Sequence, residues 1–182
     1  MAPAGPRPPP RGVDTLAALV AYRGAGRQLV SRLKYRNARA TVGWLATGMA
    51  AATPPDVDVV TWVPTSTRRR RVRGFDQAEL LARAVARRLG LPCRRLLRRR
   101  AGPAQTGRSL AERRGDGPRL EARQRLVGLR VLLVDDVVTS GTTLAAAAAA
   151  LRTAGVRAVH ATVAASTPLK NGAQRVDATL RG

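Results

Sequence analysis

The residues best suited to chemistry form one continuous run, from Val131 to Thr143. The run reads VLLVDDVVTSGTT, so a short aliphatic stretch is followed by two carboxylates, Asp135 and Asp136, and then by a loop rich in hydroxyl groups. The aliphatic stretch predicts a buried strand, and the alanine-rich segment at 142–154 predicts a helix. The two carboxylates therefore lie where a parallel strand ends, which is where α/β sheets bind ligands.

The loop after the carboxylates has the composition of a phosphate site. It contains four hydroxyl residues and one glycine, Thr139, Ser140, Gly141, Thr142 and Thr143. At a helix N-terminus the free backbone N–H groups and the helix dipole favour an anion, and Gly141 lets the backbone approach it closely. The spacing suits a ribose 5-phosphate whose hydroxyl groups are held by Asp135 and Asp136. A Walker A loop is excluded because the run contains no lysine.

A structural alternative explains some of these residues without a ligand. An aspartate at a strand end can cap the next helix, and Ser and Thr are ordinary N-cap residues. This alternative accounts for one Asp and one Thr more easily than for the whole run, because each further polar group at a strand end needs its own partner. The ligand site is the favoured interpretation.

The run resembles the 5-phosphoribosyl 1-diphosphate (PRPP) binding motif of type I phosphoribosyltransferases. Within that superfamily the chain is similar to the ComF family, phosphoribosyltransferase-like proteins linked to bacterial competence. Supporting blocks occur in the family's order: Lys34 with Tyr35, RGFDQAELLA at 73–82, and QTG at 105–107 with ERR at 112–114. The similarity covers residues 22–165.

The resemblance implies a reaction and its partners. PRPP would bind with Mg²⁺, and its ribose 5-phosphate would pass to an acceptor that no motif marks, with release of pyrophosphate. The family's pyrophosphate loop corresponds here to Thr65, Ser66, Arg68 and Arg69, and the arginine fork suits a diphosphate. The alternative for these arginines is a solvated basic surface. The sequence indicates no catalytic acid or base.

This chain departs from the family pattern at three points. Many ComF proteins carry an N-terminal segment with four zinc-binding cysteines, whereas this chain has the single cysteine Cys93. Asp76 stands where the family often has Asn, and Ser66 where it often has His. Both substitutions lie beside the expected pyrophosphate region, so they bear on catalysis more than on the fold.

The surrounding elements predict an α/β fold with a mainly parallel central sheet flanked by helices, type I phosphoribosyltransferase-like (Rossmann-like) with a mobile loop. Strands are predicted at 57–63, 130–135 and 156–163, and helices at 75–89 and 142–154, with two short helices between 13 and 52. The order strand, helix, strand at the end of the chain indicates a βαβ unit. Residues 98–125 contain few large aliphatic side chains, which predicts a long mobile loop. The resemblance to the superfamily implies that this loop closes over the site, and the alternative is a disordered linker.

Three segments are expected along the chain. Residues 1–12 contain five prolines and predict a disordered proline-rich tail. Residues 13–165 form the phosphoribosyltransferase-like domain, and residues 166–182 form a C-terminal tail. No run of 18 uncharged apolar residues and no secretory signal occurs, so no membrane span is expected and a cytoplasmic location is the default.

The charge of the chain supports a second hypothesis about function. Among 182 residues, 33 Lys and Arg face 11 Asp and Glu, a net charge of +22 that attracts polyanions. The chain could instead be a non-catalytic accessory protein in DNA uptake or processing, whose basic surface contacts single-stranded DNA or competence proteins. The codon bias of a GC-rich genome also explains the many arginines, and five aromatic residues argue against a groove that stacks bases.

Overall fold

The computed structural model of the protein describes residues 2–33, 39–65, 75–100 and 118–168. Its central sheet consists of the strands β1 (Thr15–Ala21), β2 (Val59–Trp62), β5 (Arg130–Val138) and β6 (Ala158–Ser166). These four strands are parallel and lie in the order β1-β6-β5-β2. Because β5 and β6 are the inner strands, their carboxyl ends lie between those of the edge strands β1 and β2. The predicted mainly parallel sheet flanked by helices is confirmed.

Helices cover both faces of this sheet. The helices α1 (Gly24–Arg32), α2 (Arg39–Ala51) and α3 (Gln77–Leu89) share one apolar cluster with the sheet. On the other face α4 (Thr142–Thr153) packs with a two-stranded antiparallel pair, β3 (Leu97–Arg99) and β4 (Leu120–Ala122). Leu132 and Val134 belong to the first cluster and Val131 and Leu133 to the second, as the alternation along a strand buried on both faces requires. Within the described ranges no helix combines the length and the apolar character needed to cross a membrane.

The helix α3 forms where its sequence predicts it. Leu81 and Val85 lie on its buried face, and Arg87 and Arg88 in its last turn complement the helix dipole. Asp76 is the N-cap, and its side chain accepts a hydrogen bond from the N–H of Ala78. The helix ends at Gly90, which has a φ of +66°.

The strands β5 and β6 are longer than their predicted ranges. β5 continues beyond residue 135 to Val138, and β6 continues beyond residue 163 to Ser166. The two strand ends are paired, with Val138 opposite Ser166. Hydrogen bonds between β5 and β6 therefore extend both strands beyond their aliphatic residues. Asp135 and Asp136 consequently lie in the last four residues of a strand and not behind it.

Two parts of the sheet structure contradict the sequence-based expectations. The first part of the segment 13–52, predicted as helical, is the edge strand β1, which pairs with β6 from Thr15 to Ala21. Its alanines and leucines favour helix, but the available edge of β6 decides the conformation. The ends of the predicted loop 98–125 form β3 and β4, while residues 101–117 lie outside the described residues.

The prediction that residues 1–12 are a disordered tail is wrong for residues 2–12, which we call the N-terminal strap. The N–H of Ala4 donates to the carbonyl of Leu19 at 3.3 Å, and the N–H of Ala21 donates to the carbonyl of Ala2 at 3.2 Å. The strap thus covers the free edge of β1, and its prolines lower the entropy that is lost on ordering. At the other end Ser166, assigned to the tail 166–182, belongs to β6, and residues 169–182 lie outside the described residues.

Candidate functional site

The site lies at the carboxyl ends of the inner strands. Asp135 and Asp136 stand near the end of β5, and the loop 139–141 leads directly from this strand into α4. The structure therefore brings together the two groups of residues that the sequence predicts for a ribose and a phosphate. Their proximity follows from chain order, because one short turn joins the strand to the helix.

The two carboxyl groups are fixed by the backbone and interact with each other. Asp135 Oδ1 accepts a hydrogen bond from the N–H of Asp136 at 2.9 Å, and Asp136 Oδ1 accepts one from the N–H of Val137 at 2.8 Å. Burial raises the pKa of Asp135 well above its ordinary value, and the negative charges of Asp136 and Asp76 raise it further. Asp135 therefore holds a proton more readily than an isolated aspartate. The pair of carboxyl groups can accept hydrogen bonds from hydroxyl groups and can also donate one to them.

The phosphate loop, residues 139–143, presents unused donors. Within the described part of the chain, the backbone N–H groups of Ser140, Gly141, Thr143 and Leu144 have no hydrogen-bond acceptor. The first turn of α4 contains no acidic residue that could compete for them. Free N–H groups at a helix N-terminus, combined with the helix dipole, favour an anion such as phosphate.

The structural alternative for this loop agrees poorly with the geometry. The N-cap of α4 is Gly141, with a φ of +84° and no capping side chain. Ser140 Oγ lies 2.8 Å from Thr142 Oγ1, and the N–H of Thr142 reaches Ser140 Oγ only at 3.4 Å. The hydroxyl groups therefore leave most of the helix N-terminus unsatisfied, which a loop serving only as a cap would not do.

The N-terminal strap reaches this loop, which the sequence analysis did not predict. The Arg7 guanidinium donates to the carbonyl of Thr139, to Ser166 Oγ at 3.4 Å and to the carbonyl of Thr167 at 3.3 Å. A Cβ atom added to Gly141 would lie 2.8 Å from Pro10 Cγ. This contact could not be predicted from the sequence, because a proline-rich composition such as that of residues 1–12 predicts disorder.

Asp76 links the end of β2 to the start of α3. This buried side chain accepts hydrogen bonds from the N–H of Thr65 at 2.9 Å through Oδ2 and from the N–H of Ala78 through Oδ1. Thr65, the first of the predicted pyrophosphate residues, is thereby held beyond β2, the strand next to β5. The other three, Ser66, Arg68 and Arg69, lie outside the described residues.

The chain is similar to a known domain family and to several solved structures. Residues 76–179, more than half of the chain, match the family model of the phosphoribosyl transferase domain. No curated protein sequence matches the chain. Similar solved structures include a glutamine PRPP amidotransferase from B. subtilis, at 27% identity and a TM-score of 0.48, with 74% of this chain and 26% of that one covered.

Another similar structure is a purine phosphoribosyltransferase from Pyrococcus horikoshii. It is 18% identical with a TM-score of 0.46, and the match covers 84% of this chain and 79% of that one. The chain spans about a quarter of the length of the amidotransferase. The family match includes β5, the phosphate loop and α4, the elements that form the candidate site. The protein belongs to the phosphoribosyl transferase domain family.

Proposed function

We propose that the protein binds PRPP and transfers its ribose 5-phosphate to an acceptor, with release of pyrophosphate. The observation that carries this proposal is the set of N–H groups of Ser140, Gly141, Thr143 and Leu144, unpaired within the described residues, which lie shortly after a strand whose last four residues include Asp135 and Asp136. The 5-phosphate binds the N–H groups, and the hydroxyl groups of the ribose bind the two carboxyl groups. The acceptor then attacks the anomeric carbon.

The chain contributes mainly position and charge to this reaction. A lone pair of the acceptor forms the new bond at the anomeric carbon, the bond to the diphosphate breaks with its electron pair leaving on the diphosphate, and the acceptor releases its proton to the solvent. Two anchors, at the 5-phosphate and at the ribose hydroxyl groups, fix the sugar ring and remove the entropy cost of orientation. The transition state is similar to an oxocarbenium ion, and the Asp135 and Asp136 pair places negative charge beside it.

We propose that Mg²⁺ binds together with PRPP. Among the residues that the structure describes, no three His, Cys, Asp or Glu side chains form a group that could hold a metal ion. The carboxylates of Asp135 and Asp136 therefore suit an ion that they lie near but that the diphosphate oxygens mainly hold. When bound, the ion neutralises the charge of the leaving diphosphate. Thr65, Ser66, Arg68 and Arg69 are proposed to bind the same diphosphate from the end of β2.

Calorimetric titration with PRPP and Mg²⁺ tests the site. The double variant Asp135→Asn/Asp136→Asn is expected to lose the binding heat of the wild-type protein. The matched control is Asp56→Asn, an exposed carboxylate that pairs with Arg130 at the first residue of β5, far along the strand from the site. This control is expected to bind PRPP as the wild type does. Equal heats for all three proteins would refute the proposed site.

We also propose that the chain is a ComF-family member with a role in bacterial competence. The block RGFDQAELLA supports this proposal, since its described part, from Phe75 onward, forms the N-cap and first turns of α3 and joins Asp76 to Thr65 beside the site. Deletion of the gene is expected to lower the frequency of transformation by external DNA, and a plasmid copy should restore it. An unchanged frequency would remove the competence role.

A second candidate function is that of a non-catalytic accessory protein that binds DNA. The pair β3 and β4 and its flanking residues favour it, because residues 94–100 and 118–125 contain one acid, Glu121, and eight arginines: Arg94, Arg95, Arg98, Arg99, Arg100, Arg119, Arg123 and Arg125. Arginine contacts to phosphates predict an affinity for single-stranded DNA that falls steeply with salt. Arg119→Glu/Arg123→Glu should weaken this binding and flatten its salt dependence. Binding that survives high salt unchanged would exclude the electrostatic basis.

A further inference from the structure

A cavity lies between the N-terminal strap and the carboxyl ends of β1 and β6. Its volume is about 310 Å³. Its lining includes the prolines Pro3, Pro6 and Pro168, the arginines Arg7 and Arg23, and Ser166, together with Gly5, Ala21 and Thr167. Among the residues that the structure describes, no acid belongs to the lining, so the cavity is apolar on its proline walls and positive at its two arginines.

Within the part of the chain that the structure describes, Arg7 is a partly buried cation without a counter-charge. Its guanidinium donates only to neutral groups, namely Ser166 Oγ and the carbonyls of Thr139 and Thr167. Among the described residues neither Arg7 nor Arg23 has a carboxylate within ion-pair distance, whereas Arg83, Arg98, Arg130 and Arg152 all do. Removing a charge from water without a partner costs free energy. An anionic ligand in the cavity would supply the missing counter-charge.

The cavity is adjacent to the phosphate loop. One guanidinium, that of Arg7, contacts both Thr139 at the start of the loop and Ser166 at the end of β6. Ser166 pairs with Val138, the last residue of β5, so the carboxyl end of β6 separates the cavity from the end of β5 by one strand spacing. A molecule in the cavity therefore lies beside a ribose phosphate held by the loop, and the rigid, apolar faces of the proline rings are surfaces on which a planar ring can pack.

We propose that this cavity binds the acceptor and that the acceptor is a planar molecule carrying an anionic oxygen group, either a carboxylate or a phosphate. This inference rests on the proposed function, because an acceptor is needed only if PRPP binds. Arg7 and Arg23 bind the anionic group, and the proline walls hold the ring. The nucleophile of the acceptor then faces the anomeric carbon of the PRPP that is bound at the end of the neighbouring strand, β5.

Three probes of similar size test the inference. These are 2-aminobenzoate, its neutral counterpart 2-aminobenzamide, and phenyl phosphate, titrated against the whole chain with and without PRPP and Mg²⁺. One of the two anionic probes should bind about tenfold or more tightly than the amide, as expected for a charge-assisted hydrogen bond. Preference for the carboxylate or for the phosphate identifies the anionic group.

Variants of Arg7 and Arg23 test whether these two arginines cause the preference for an anionic probe over the amide. Arg7→Gln and Arg23→Gln should each lower the affinity for the preferred anionic probe toward that for the amide. Arg27→Gln should leave it unchanged, because Arg27 is an exposed arginine of α1 outside the cavity lining. Arg7→Lys keeps the charge and is expected to keep part of the preference, which separates loss of charge from loss of the strap's fold.

The outcomes distinguish this inference from the proposed function. If PRPP does not bind but the anionic probe is still preferred, the proposed function fails while the cavity remains an anion site. If PRPP binds and the three probes bind equally or not at all, the assignment of the cavity is overturned. If Arg7→Gln weakens PRPP but not the preferred probe, Arg7 serves the 5-phosphate and the inference is overturned.

Discussion

Substitution of Gly141 by alanine tests the phosphate loop most directly. Gly141 has a φ of +84°, a region in which glycine is at ease and other residues are strained. The added Cβ would also lie 2.8 Å from Pro10 Cγ and 3.3 Å from Pro10 Cβ. Gly141→Ala therefore disturbs both the backbone of the loop and the N-terminal strap that lies on it.

Two effects set the expected loss of stability. Left-handed backbone costs a non-glycine residue about 1–2 kcal/mol, offset by about 0.4–1 kcal/mol because alanine restricts the unfolded chain. The contact with Pro10 adds about 1–3 kcal/mol, as does overpacking in general. Gly128→Ala is the matched control, because Gly128 has a φ of +79° but no atom within 4 Å of the added Cβ. The free energy of unfolding of Gly141→Ala should therefore be lower than that of Gly128→Ala by the cost of the contact with Pro10.

The effect on PRPP distinguishes a ligand site from a helix cap. Alanine shifts the loop toward negative φ, and the bound phosphate must restore the original conformation at a cost of about 1–2 kcal/mol. The affinity for PRPP should therefore fall by about 5–30-fold in Gly141→Ala and stay at the wild-type value in Gly128→Ala.

Urea unfolding measures the stability of the two variants, and calorimetry with PRPP and Mg²⁺ measures their affinity. If Gly141→Ala binds PRPP as tightly as the wild type, the loop is only the start of a helix, and the proposed function loses its main support. If both variants lose PRPP affinity equally, the effect is global and the argument from the loop is refuted.

Three further predictions concern aspartates. Asp76→Ala should lower the free energy of unfolding by about 1 kcal/mol for the lost N-cap, and by more if the bond to Thr65 also contributes; a variant as stable as the wild type in urea would contradict this. Because the pKa of Asp135 is raised, the folded state loses stability as pH rises above 3.8, so Asp135→Asn should unfold at higher urea at pH 7 and match the wild type below pH 3.8. The side-chain hydrogen bond from Arg130 lowers the pKa of Asp58 from 3.8 to about 2, so Asp58→Asn should be less stable at pH 7 and the difference should vanish as pH falls through 2. Equal pH profiles of variant and wild type would contradict either of the last two.

The sequence by itself determined the elements whose signals are local. The phosphate loop is recognisable because five residues of suitable types follow two carboxylates without a gap, and α3 because its buried stripe, its N-cap Asp76 and its C-cap Gly90 lie within one short segment. The strands β2, β5 and β6 are recognisable from their aliphatic residues, although the paired ends of β5 and β6 extend beyond the predicted ranges. In each case neighbours along the chain supply the pattern, so no distant contact is needed to read it.

The tertiary structure alone decided the features that depend on distant partners. β1 has the composition of a helix and becomes a strand because β6 offers a free parallel edge. The N-terminal strap is ordered by the edge of β1 and by the carbonyls of residues 139 and 167, more than 130 positions away in the chain. The raised pKa of Asp135 arises from burial together with Asp136 and Asp76, and only folding brings Asp76 near. Pairing, burial and charge between distant residues have no periodic trace in a sequence, so the strap, the cavity and the electrostatics of the site appear only in the folded chain.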